Sequence, residues 1–402
     1  MRKSLAVRAP DGPEPAPGSS LADHFGSKVF GLPYETPFLG LDLTTVTEAY
    51  EHLRLALPRG TEIKFAMKCN ADGRLLQKVK DLGGGFVVAS YGELAVLRDL
   101  EIAASAADAA EVLFSNPVKR PDDVSHAFAA GLDRFAFDSE REAEKLAELA
   151  PGSRVYVRLK TRAAQSAVPS EGKFGVPADH AARLMLYAAS LGLVPYGITF
   201  HVGSQMTEAT AWETAIAEAA AVMRALADNE VRIQMLNMGG GFPVQYDGTA
   251  VPSMAAIGKS IGRAIGQLPY PVRTVVEPGR FLAAPAGVMV ASVIGVAERD
   301  GARWVHLDAG AFNGFMESLE TSNTLRYPVT DSRGQGSTRT THLTGPSCDS
   351  QDTIMFGVEL SHDLDVGDTV AIWQTGAYTL VYAAEAFNGI SAPSAYLLDR
   401  AV

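Results

Sequence analysis

The chain of 402 residues is poor in cysteine, in positive charge and in long apolar segments. Its two cysteines, Cys69 and Cys348, are too few for a disulfide framework or a cysteine-based zinc site, so no metal site is predicted and a reducing, cytoplasmic setting is favoured. Lys and Arg number 35 against 46 Asp and Glu, a net charge of −11. Nucleic acids and anionic membranes are therefore disfavoured as partners, because their phosphates require clustered cations. No apolar run reaches the length of about 18 residues that a membrane-spanning helix needs.

What is present is typical of a large folded protein. Hydrophobic residues make up 47% of the chain and charged residues 20%, which is enough to build an extensive core. The first 20 residues begin basic, contain no apolar segment and then become rich in Pro, Gly and Ser. Residues 1–20 are therefore predicted to form a flexible leader rather than a secretory signal.

Between residues 37 and 280, β-rich segments alternate with helical patterns over 92–100, 139–150, 178–192 and 209–228. The β-rich segments are 62–68, 86–90, 112–116, 134–138, 154–160, 197–204, 234–241 and 273–280. Eight strands separated by helices predict a closed (β/α)8 barrel, an α/β fold, over 37–280, with an open doubly wound sheet as the alternative. After residue 280, short β segments with few helices predict an all-β, sandwich-like domain formed by residues 21–36 and 281–402.

Polar side chains are concentrated at the ends of the predicted strands. These residues are Lys68, Ser90, Asn116, Asp138, Arg158, His201, Gly239 to Gly241, Glu277 and Arg280. In a barrel, the carboxyl ends of the strands surround one mouth, where active sites are found. Packing alone would favour apolar residues there, so this concentration of polar residues indicates an active site.

Lys68 ends an apolar strand in the segment FAMKCN. It is either a surface lysine or a partly buried one whose lowered pKa lets the neutral amine react with an aldehyde cofactor. Glu277, in VVEPGR, would be costly to bury unpaired and is expected to face a cation or a protonated pyridine nitrogen. His201 is expected either in the core or against a planar ligand.

The glycine run in NMGGGFP, residues 237–243, predicts a phosphate site, because glycines let backbone N–H groups approach an anion closely. Three successive glycines exceed the need of a strand-to-helix turn. Arg280 is expected to bind the same phosphate with a charged donor. A nucleoside triphosphate is disfavoured because the chain lacks the GxxxxGK[ST] pattern.

Together with KFG (173–175), HVGS (201–204), GPSCDSQD (345–352), GAYT (376–379) and FNG (387–389), these motifs resemble the fold type III PLP-dependent decarboxylases. That family contains ornithine, lysine, arginine and diaminopimelate decarboxylases, and the resemblance runs from about residue 30 to the C-terminus. It implies an alanine racemase-like barrel plus a β domain, pyridoxal 5′-phosphate (PLP) as cofactor, and a homodimer whose active site is shared across the interface.

The resemblance also implies residue roles. Lys68 corresponds to the lysine that carries PLP, Glu277 to the partner of the ring nitrogen and His201 to the histidine stacked on the ring. The cofactor-binding positions around the phosphate correspond to Ser204, Gly240, Gly241, Gly279, Arg280 and Tyr378. Cys348 and Asp349 correspond to a pair that one subunit supplies to the other, the cysteine as proton donor to Cα and the aspartate facing the distal end of the substrate. Arg158 is also expected to bind substrate.

The chain departs from the family pattern at two places. Val87 stands where ornithine decarboxylases carry an aspartate, and Glu317 and Ser318 stand where they carry tyrosine and aspartate. Glu317 is expected either to bind the distal ammonium of a substrate or to be a solvated helix carboxylate.

Asp349 favours a basic substrate, because diaminopimelate decarboxylases carry glutamate after the cysteine. Those enzymes also need a cationic clamp for a second carboxylate, for which Arg326 is the candidate. The expected reaction is decarboxylation of a basic L-amino acid of the ornithine or lysine type. The alternatives are a diaminopimelate-type or specialised amino acid decarboxylase, a non-catalytic regulatory homologue and a PLP-dependent racemase. A racemase of this fold pairs the ring nitrogen with arginine, so Glu277 favours decarboxylation.

Overall fold

The computed structural model describes residues 19–161, 166–168, 172–248, 250–334, 336–384 and 386–400. The predicted closed barrel is confirmed, since eight parallel strands follow one another around it in chain order and the eighth pairs with the first. These strands are Glu62–Ala66, Gly85–Val88, Leu113–Phe114, Arg134–Phe137, Arg154–Arg158, Val194–Thr199, Met235–Asn237 and Arg273–Val276.

Alternation along the strands explains why short apolar segments build this barrel. Successive side chains of a strand point to opposite faces, so one set fills the barrel interior and the other packs against the helices. The interior set forms a buried cluster of Val87, Leu113, Ala136, Tyr156, Tyr196, Met235 and Val275. Their sequence neighbours, such as Phe135 and Phe137, belong to the larger core that includes the helices.

The four predicted helices are confirmed, each ending one or two residues short of its predicted range at one or both ends. The barrel helices are Leu43–Ala56, Gly73–Asp81, Tyr91–Asp99, Ala106–Ala109, Pro121–Ala129, Glu140–Leu149, Ala178–Ser190, Ala211–Ala227 and Met254–Ile265. Several begin at a side-chain cap, which satisfies N–H groups that the first turn leaves unpaired. Asp42, for example, accepts hydrogen bonds from the N–H groups of Thr44 and Thr45. Among the described residues, no helix has the length and apolar character to cross a bilayer.

The second domain is mostly β. Its eight strands form one connected sheet: Phe38–Leu41, Gly287–Arg299, Ala302–Leu307, Val329–Asp331, Thr338–Thr344, Thr353–Ser361, Thr369–Trp373 and Ser394–Leu397. The long strand Gly287–Arg299 joins two parts of this sheet. Its first half pairs with Thr369–Trp373 and its second half with Ala302–Leu307. The short helix Arg280–Ala283 connects the barrel mouth to this sheet, and the short helix Met316–Glu320 lies beside the sheet.

Two predicted boundaries differ from the structure. Phe38–Leu41 lies within the range predicted for the barrel but pairs with Gly287–Val290 and Ser394–Leu397 of the second sheet. Local sequence does not reveal this pairing, because the partners lie about 250 and 350 residues away and only long-range packing brings them together. Ser19 and Ser20 of the predicted leader begin the helix Ser19–Phe25, and residues 1–18 lie outside the described residues.

Candidate active site

A cavity of about 250 Å³ opens at the carboxyl ends of the barrel strands. It brings together five of the residues that the sequence placed at one mouth, since its lining includes Lys68, Asn116, Arg158, His201 and Glu277. Val87 lines it as well, so the wall is apolar at that position. The site is therefore a charged pocket on a rigid barrel end.

Lys68 lies in the turn Met67–Cys69, which directly follows the first barrel strand. Its side chain is accessible from the cavity but surrounded by protein, and this burial, with the charge of Arg158, lowers the pKa of the Lys68 amine. The nearby carboxylates of Glu277 and Glu93 oppose that shift. Among the described residues the amine has no hydrogen-bond or salt-bridge partner, which leaves it available as a nucleophile.

Glu277 follows the last barrel strand and is fixed by neutral donors. Its Oε1 accepts hydrogen bonds from Ser115 Oγ at 2.6 Å and Asn237 Nδ2 at 2.5 Å, while its backbone N–H donates to the Gly239 carbonyl at 2.8 Å. These donors stabilise a carboxylate in place without neutralising it. Its second oxygen has no hydrogen-bond partner within the described part of the chain. That oxygen is therefore available to accept a hydrogen bond from a protonated ring nitrogen.

His201 lies at the same mouth and is neutral. Burial, together with the charges of Lys68 and Arg158, lowers the pKa of His201 to about 3. The Thr161 hydroxyl donates to the His201 carbonyl at 2.6 Å and fixes the backbone there. A neutral, planar imidazole suits stacking on an aromatic ligand.

Because the pKa of His201 is depressed, we expect the protein to lose stability in acid. The unfolded chain binds a proton at this residue below about pH 6.5, whereas the folded chain does not until about pH 3, so stability falls as pH decreases through that window. His201→Gln should reduce the slope of unfolding free energy against pH by about 1.4 kcal/mol per pH unit. Urea titrations of cofactor-free protein between pH 4 and 7 measure this, and equal slopes in the two proteins would contradict it.

A second polar cluster, the phosphate cluster, lies beside the cavity and consists of Ser204, Tyr246, Arg280, Glu317 and Tyr378. Arg280 Nη1 donates to Tyr246 Oη at 3.1 Å, and Nη2 lies 3.4 Å from Ser204 Oγ. The Tyr378 ring lies 4.8 Å from the guanidinium. Three of the predicted phosphate ligands therefore converge on one place.

Glu317 is not a solvated helix carboxylate, because its side chain is only 3% exposed and forms a two-point salt bridge with Arg280. It does not line the cavity, so its carboxylate faces Arg280 in this structure. Helix periodicity did not reveal this contact, since the partner lies in a different domain range 37 residues away. Ser318 is buried beside it, and its hydroxyl has no partner among the described side chains.

Arg326 is not placed as a clamp for a second carboxylate. Its guanidinium donates to the carbonyl oxygens of Phe356 and Gly357, the latter at 2.8 Å, and it does not line the cavity. These bonds tie the segment after Met316–Glu320 to the strand Thr353–Ser361. The residue therefore has a structural role in this chain.

The three glycines of the run 239–241 are required by close backbone packing as well as by the predicted phosphate site. A Cβ at Gly239, Gly240 or Gly241 would lie within 2.5 Å of a backbone carbonyl oxygen of a neighbouring segment. Gly239 and Gly241 also adopt positive φ, +64° and +99°. All three glycines are thus required by the backbone alone. The buried Gly240 N–H nevertheless has no partner among the described residues, as expected of an anion donor.

We expect Gly239→Ala to destabilise the protein far more than Gly248→Ala. At Gly239 the new Cβ would meet the Phe200 carbonyl oxygen at 2.1 Å, so backbone must move and the unfolding free energy should fall by at least about 3 kcal/mol. Gly248 also has positive φ but open space around it, so only the cost of about 1–2 kcal/mol for a left-handed residue applies. Chemical denaturation measures both, and equal losses would show that the close approach is not real.

Cys348 and Asp349 are exposed and do not line the cavity of their own chain. They lie in the turn between Thr338–Thr344 and Thr353–Ser361, where Asn388 Nδ2 approaches Cys348 Sγ at 3.5 Å. Asp349 Oδ1 accepts the backbone N–H of Gln351 at 2.8 Å. Both functional groups are accessible from outside the subunit.

The other predicted positions have local roles. Gly279 packs against Cys69 at the start of Arg280–Ala283. Ser90 Oγ caps Tyr91–Asp99 by accepting the Glu93 N–H at 3.3 Å. Asp138 Oδ2 accepts the N–H of Gly175 at 2.7 Å, and so fixes the KFG segment beside the cavity.

Sequence reasoning missed Ser115 and Asn237, the two donors to Glu277. Each lies at the end of a barrel strand, Ser115 directly before Asn116 and Asn237 two residues before Gly239. A signal was present in Asn237, a polar residue that ends the apolar strand Met235–Asn237 and is fully buried. Tyr246, which bonds Arg280, is in a loop without any motif and could not have been found.

The fold and site define a barrel enzyme that uses an aldehyde-bearing, phosphorylated cofactor. The residues present fit PLP, because three groups have no hydrogen-bond partner within the described ranges: the Lys68 amine, the second carboxylate oxygen of Glu277 and the buried Nε of Arg280. No cluster of His, Cys, Asp and Glu in the described ranges could hold a metal ion.

Comparison with known proteins identifies the family. Residues 43–284 match the model of the pyridoxal-dependent decarboxylases, pyridoxal-binding domain. The chain is 34% identical over 354 residues to a lysine/ornithine decarboxylase of Selenomonas ruminantium, covering 88% of this chain and 87% of that protein. It is 28% identical to antizyme inhibitor 2 of Xenopus laevis, covering 90% and 81%. The chain belongs to the PLP-dependent decarboxylase family of fold type III and is an enzyme that uses PLP.

A solved structure supports the same assignment. The lysine/ornithine decarboxylase of Vibrio vulnificus, solved with cadaverine and with putrescine, is 30% identical, with TM-scores of 0.82 and 0.81. The alignment covers 95% of this chain and 97–98% of that one. The shared fold thus extends over the barrel and the β domain together.

Proposed function

We propose that the enzyme removes the α-carboxylate of a basic L-amino acid of the ornithine or lysine type and releases the corresponding amine and carbon dioxide. The observation that carries this proposal is the convergence of Lys68, His201 and Glu277 on one cavity. The relatives that act on lysine and ornithine, and the neighbour solved with cadaverine and putrescine, support this substrate class. Putrescine is a polyamine, so a place in polyamine biosynthesis follows if ornithine is the substrate.

When bound, PLP supplies the electron sink that makes loss of carbon dioxide from Cα feasible. Lys68 would hold the cofactor through its amine, whose lowered pKa favours the neutral, reactive form. Glu277 would hold a proton at the ring nitrogen through its unpartnered oxygen, and His201 would orient the ring by stacking. Ser204, the glycine N–H groups, Arg280 and Tyr378 would bind the phosphate, and Arg158 the substrate.

A basic substrate is favoured over a diacid by the charges around the site. Asp349 supplies an exposed carboxylate next to Cys348, whereas Arg326, the candidate for a cationic clamp, is bonded to backbone carbonyls. Asp349 would therefore offer a partner to a cationic side chain, whereas Arg326 is not free to bind a second carboxylate. Diaminopimelate-type and specialised amino acids stay as alternatives to be tested.

The substrate class is tested by incubating the PLP-loaded enzyme with L-ornithine, L-lysine, L-arginine and meso-diaminopimelate and measuring released carbon dioxide. We expect kcat/KM to be highest for ornithine or lysine. Turnover of the diacid alone would overturn the proposed substrate, and racemisation without carbon dioxide release would overturn the proposed reaction.

A non-catalytic regulator is the second candidate, favoured by the similarity to antizyme inhibitor 2. Retention of Lys68, Glu277 and Cys348 argues against it. Absence of the absorbance band of lysine-bound PLP after incubation with the cofactor, combined with no turnover, would favour the regulator.

We further propose a homodimer in which each subunit supplies Cys348 and Asp349 to the cavity of the other. Support comes from their exposure and their position outside the cavity of their own chain. In this arrangement Cys348 returns a proton to Cα and Asp349 faces the distal group of the substrate.

Mixing two inactive variants tests the shared site. Lys68→Ala and Cys348→Ala should each be inactive or form aberrant product alone, because each site lacks one of its two contributions. After subunit exchange, half of the dimers are mixed and each contains one intact site, so about a quarter of wild-type activity should return. No recovery, with exchange verified by mass, would place both residues in one subunit's site.

A further inference from the structure

The salt bridge between Glu317 and Arg280 belongs to neither the family resemblance nor the proposed chemistry. The two side chains are 3% and 5% exposed. Arg280 Nη1 donates to Glu317 Oε2 at 2.8 Å, and Nη2 donates to Oε1. The carboxylate therefore contacts the guanidinium end-on, through both terminal nitrogens.

This end-on contact leaves the side edge of the guanidinium, Nε and Nη2, for another anion. Nε of Arg280 is buried and has no hydrogen-bond partner among the described residues. The remaining contact of Nη2 is with Ser204 Oγ, a predicted phosphate ligand. One guanidinium thus lies between a carboxylate and the proposed phosphate position.

We propose that Glu317 is a built-in counter-anion of Arg280 that stabilises the cofactor-free site and weakens the binding of the cofactor phosphate. The inference rests on the proposed assignment of Arg280 to that phosphate. A buried guanidinium without a counter-charge is costly, so the carboxylate stabilises the protein when no phosphate is bound. Once a phosphate occupies the other edge, two groups of the same sign face each other across one cation and repel.

The alternative effect, that Glu317 strengthens phosphate binding by orienting Arg280, is outweighed. Other contacts orient the guanidinium as well: Tyr246 Oη accepts from Nη1 at 3.1 Å, and the Tyr378 ring lies 4.8 Å away. Removal of the carboxylate therefore costs little orientation but removes a full negative charge in a buried place, where charge interactions are strong. The net effect of Glu317 is therefore to weaken phosphate binding, because its charge outweighs its contribution to the orientation of Arg280.

Glu317→Gln tests the proposal because it keeps the size of the side chain and removes its charge. The readout is the Kd of pyridoxal divided by the Kd of PLP, measured by absorbance on protein stripped of cofactor. Both ligands react with Lys68 through the same aldehyde, so the change in this ratio between wild type and variant isolates the contribution of the phosphate. We expect the ratio to increase at least about tenfold and the Tm of the cofactor-free protein to fall.

Two controls separate this inference from the proposed site. Arg280→Gln should bring the ratio close to that of a phosphate-independent site, and a retained ratio would show that Arg280 does not bind the phosphate. If Arg280→Gln lowers the ratio but Glu317→Gln leaves it unchanged or lowers it, the counter-anion role is wrong. Glu142→Gln breaks another buried ion pair, with Lys119 at 2.8 Å, and should lower Tm without raising the ratio.

An increased ratio in Glu142→Gln as well would attribute the effect to lost stability and overturn the proposal. If Glu317→Gln does not yield folded protein, Glu317→Asp retracts the charge by one methylene. That variant should show a smaller increase in the same ratio, and no increase would count against the counter-anion role.

Discussion

Lys68→Ala is expected to lower kcat for decarboxylation by at least about a thousandfold, because one amine both binds the cofactor covalently and handles protons during turnover. The structure supports this expectation, because the Lys68 amine at the cavity has a lowered pKa and no hydrogen-bond partner in the described part of the chain. Carbon dioxide release measures the loss of activity, and the absorbance band of lysine-bound PLP should disappear with it.

Lys64→Met is the matched control. Lys64 lies in the barrel strand Glu62–Ala66 that precedes Lys68, and burial lowers its pKa too, but its amine donates to the Glu111 carbonyl at 2.7 Å, at the opposite end of the barrel. This variant should lose stability yet retain the PLP band and most of kcat. A Lys68→Ala enzyme with near wild-type turnover would show that another group carries the cofactor.

Glu277→Gln is expected to lower kcat by at least about a hundredfold while leaving PLP bound. The amide keeps the size and the contacts with Ser115 and Asn237, but it cannot hold a positive charge on the ring nitrogen as a carboxylate does. PLP affinity should change little, because the phosphate cluster is separate from this side chain.

Ser115→Ala provides the graded comparison. It removes one neutral donor at 2.6 Å from Glu277 without removing the charge, so kcat should fall about tenfold or less. Unchanged kcat in Glu277→Gln would exclude ring protonation by this residue. An equal loss in both variants would indicate that the position of the carboxylate matters more than its charge.

Much of the fold could be predicted because the signals are local and repeated. Each barrel strand is a short apolar run followed by an amphipathic helix, so the strand count and the parallel pairing follow from alternation and the handedness of crossovers. Because strand ends meet at one mouth, the sequence predicts that Lys68, His201 and Glu277 lie together, and all three line the cavity. The pairing of Phe38–Leu41 with distant strands had no such local signal.

The sequence by itself determined the low content of cysteine and of cationic residues, the barrel fold and the residue types at the barrel mouth. These features depend on composition and on periodicity along the chain. Only the tertiary structure decided what those residues contact. It placed Ser115 and Asn237 on Glu277, gave each glycine of the run a packing reason, and paired Glu317 with Arg280. A buried ion pair forms between the charges that three-dimensional packing brings close together, and the spacing of these residues along the chain does not encode that proximity.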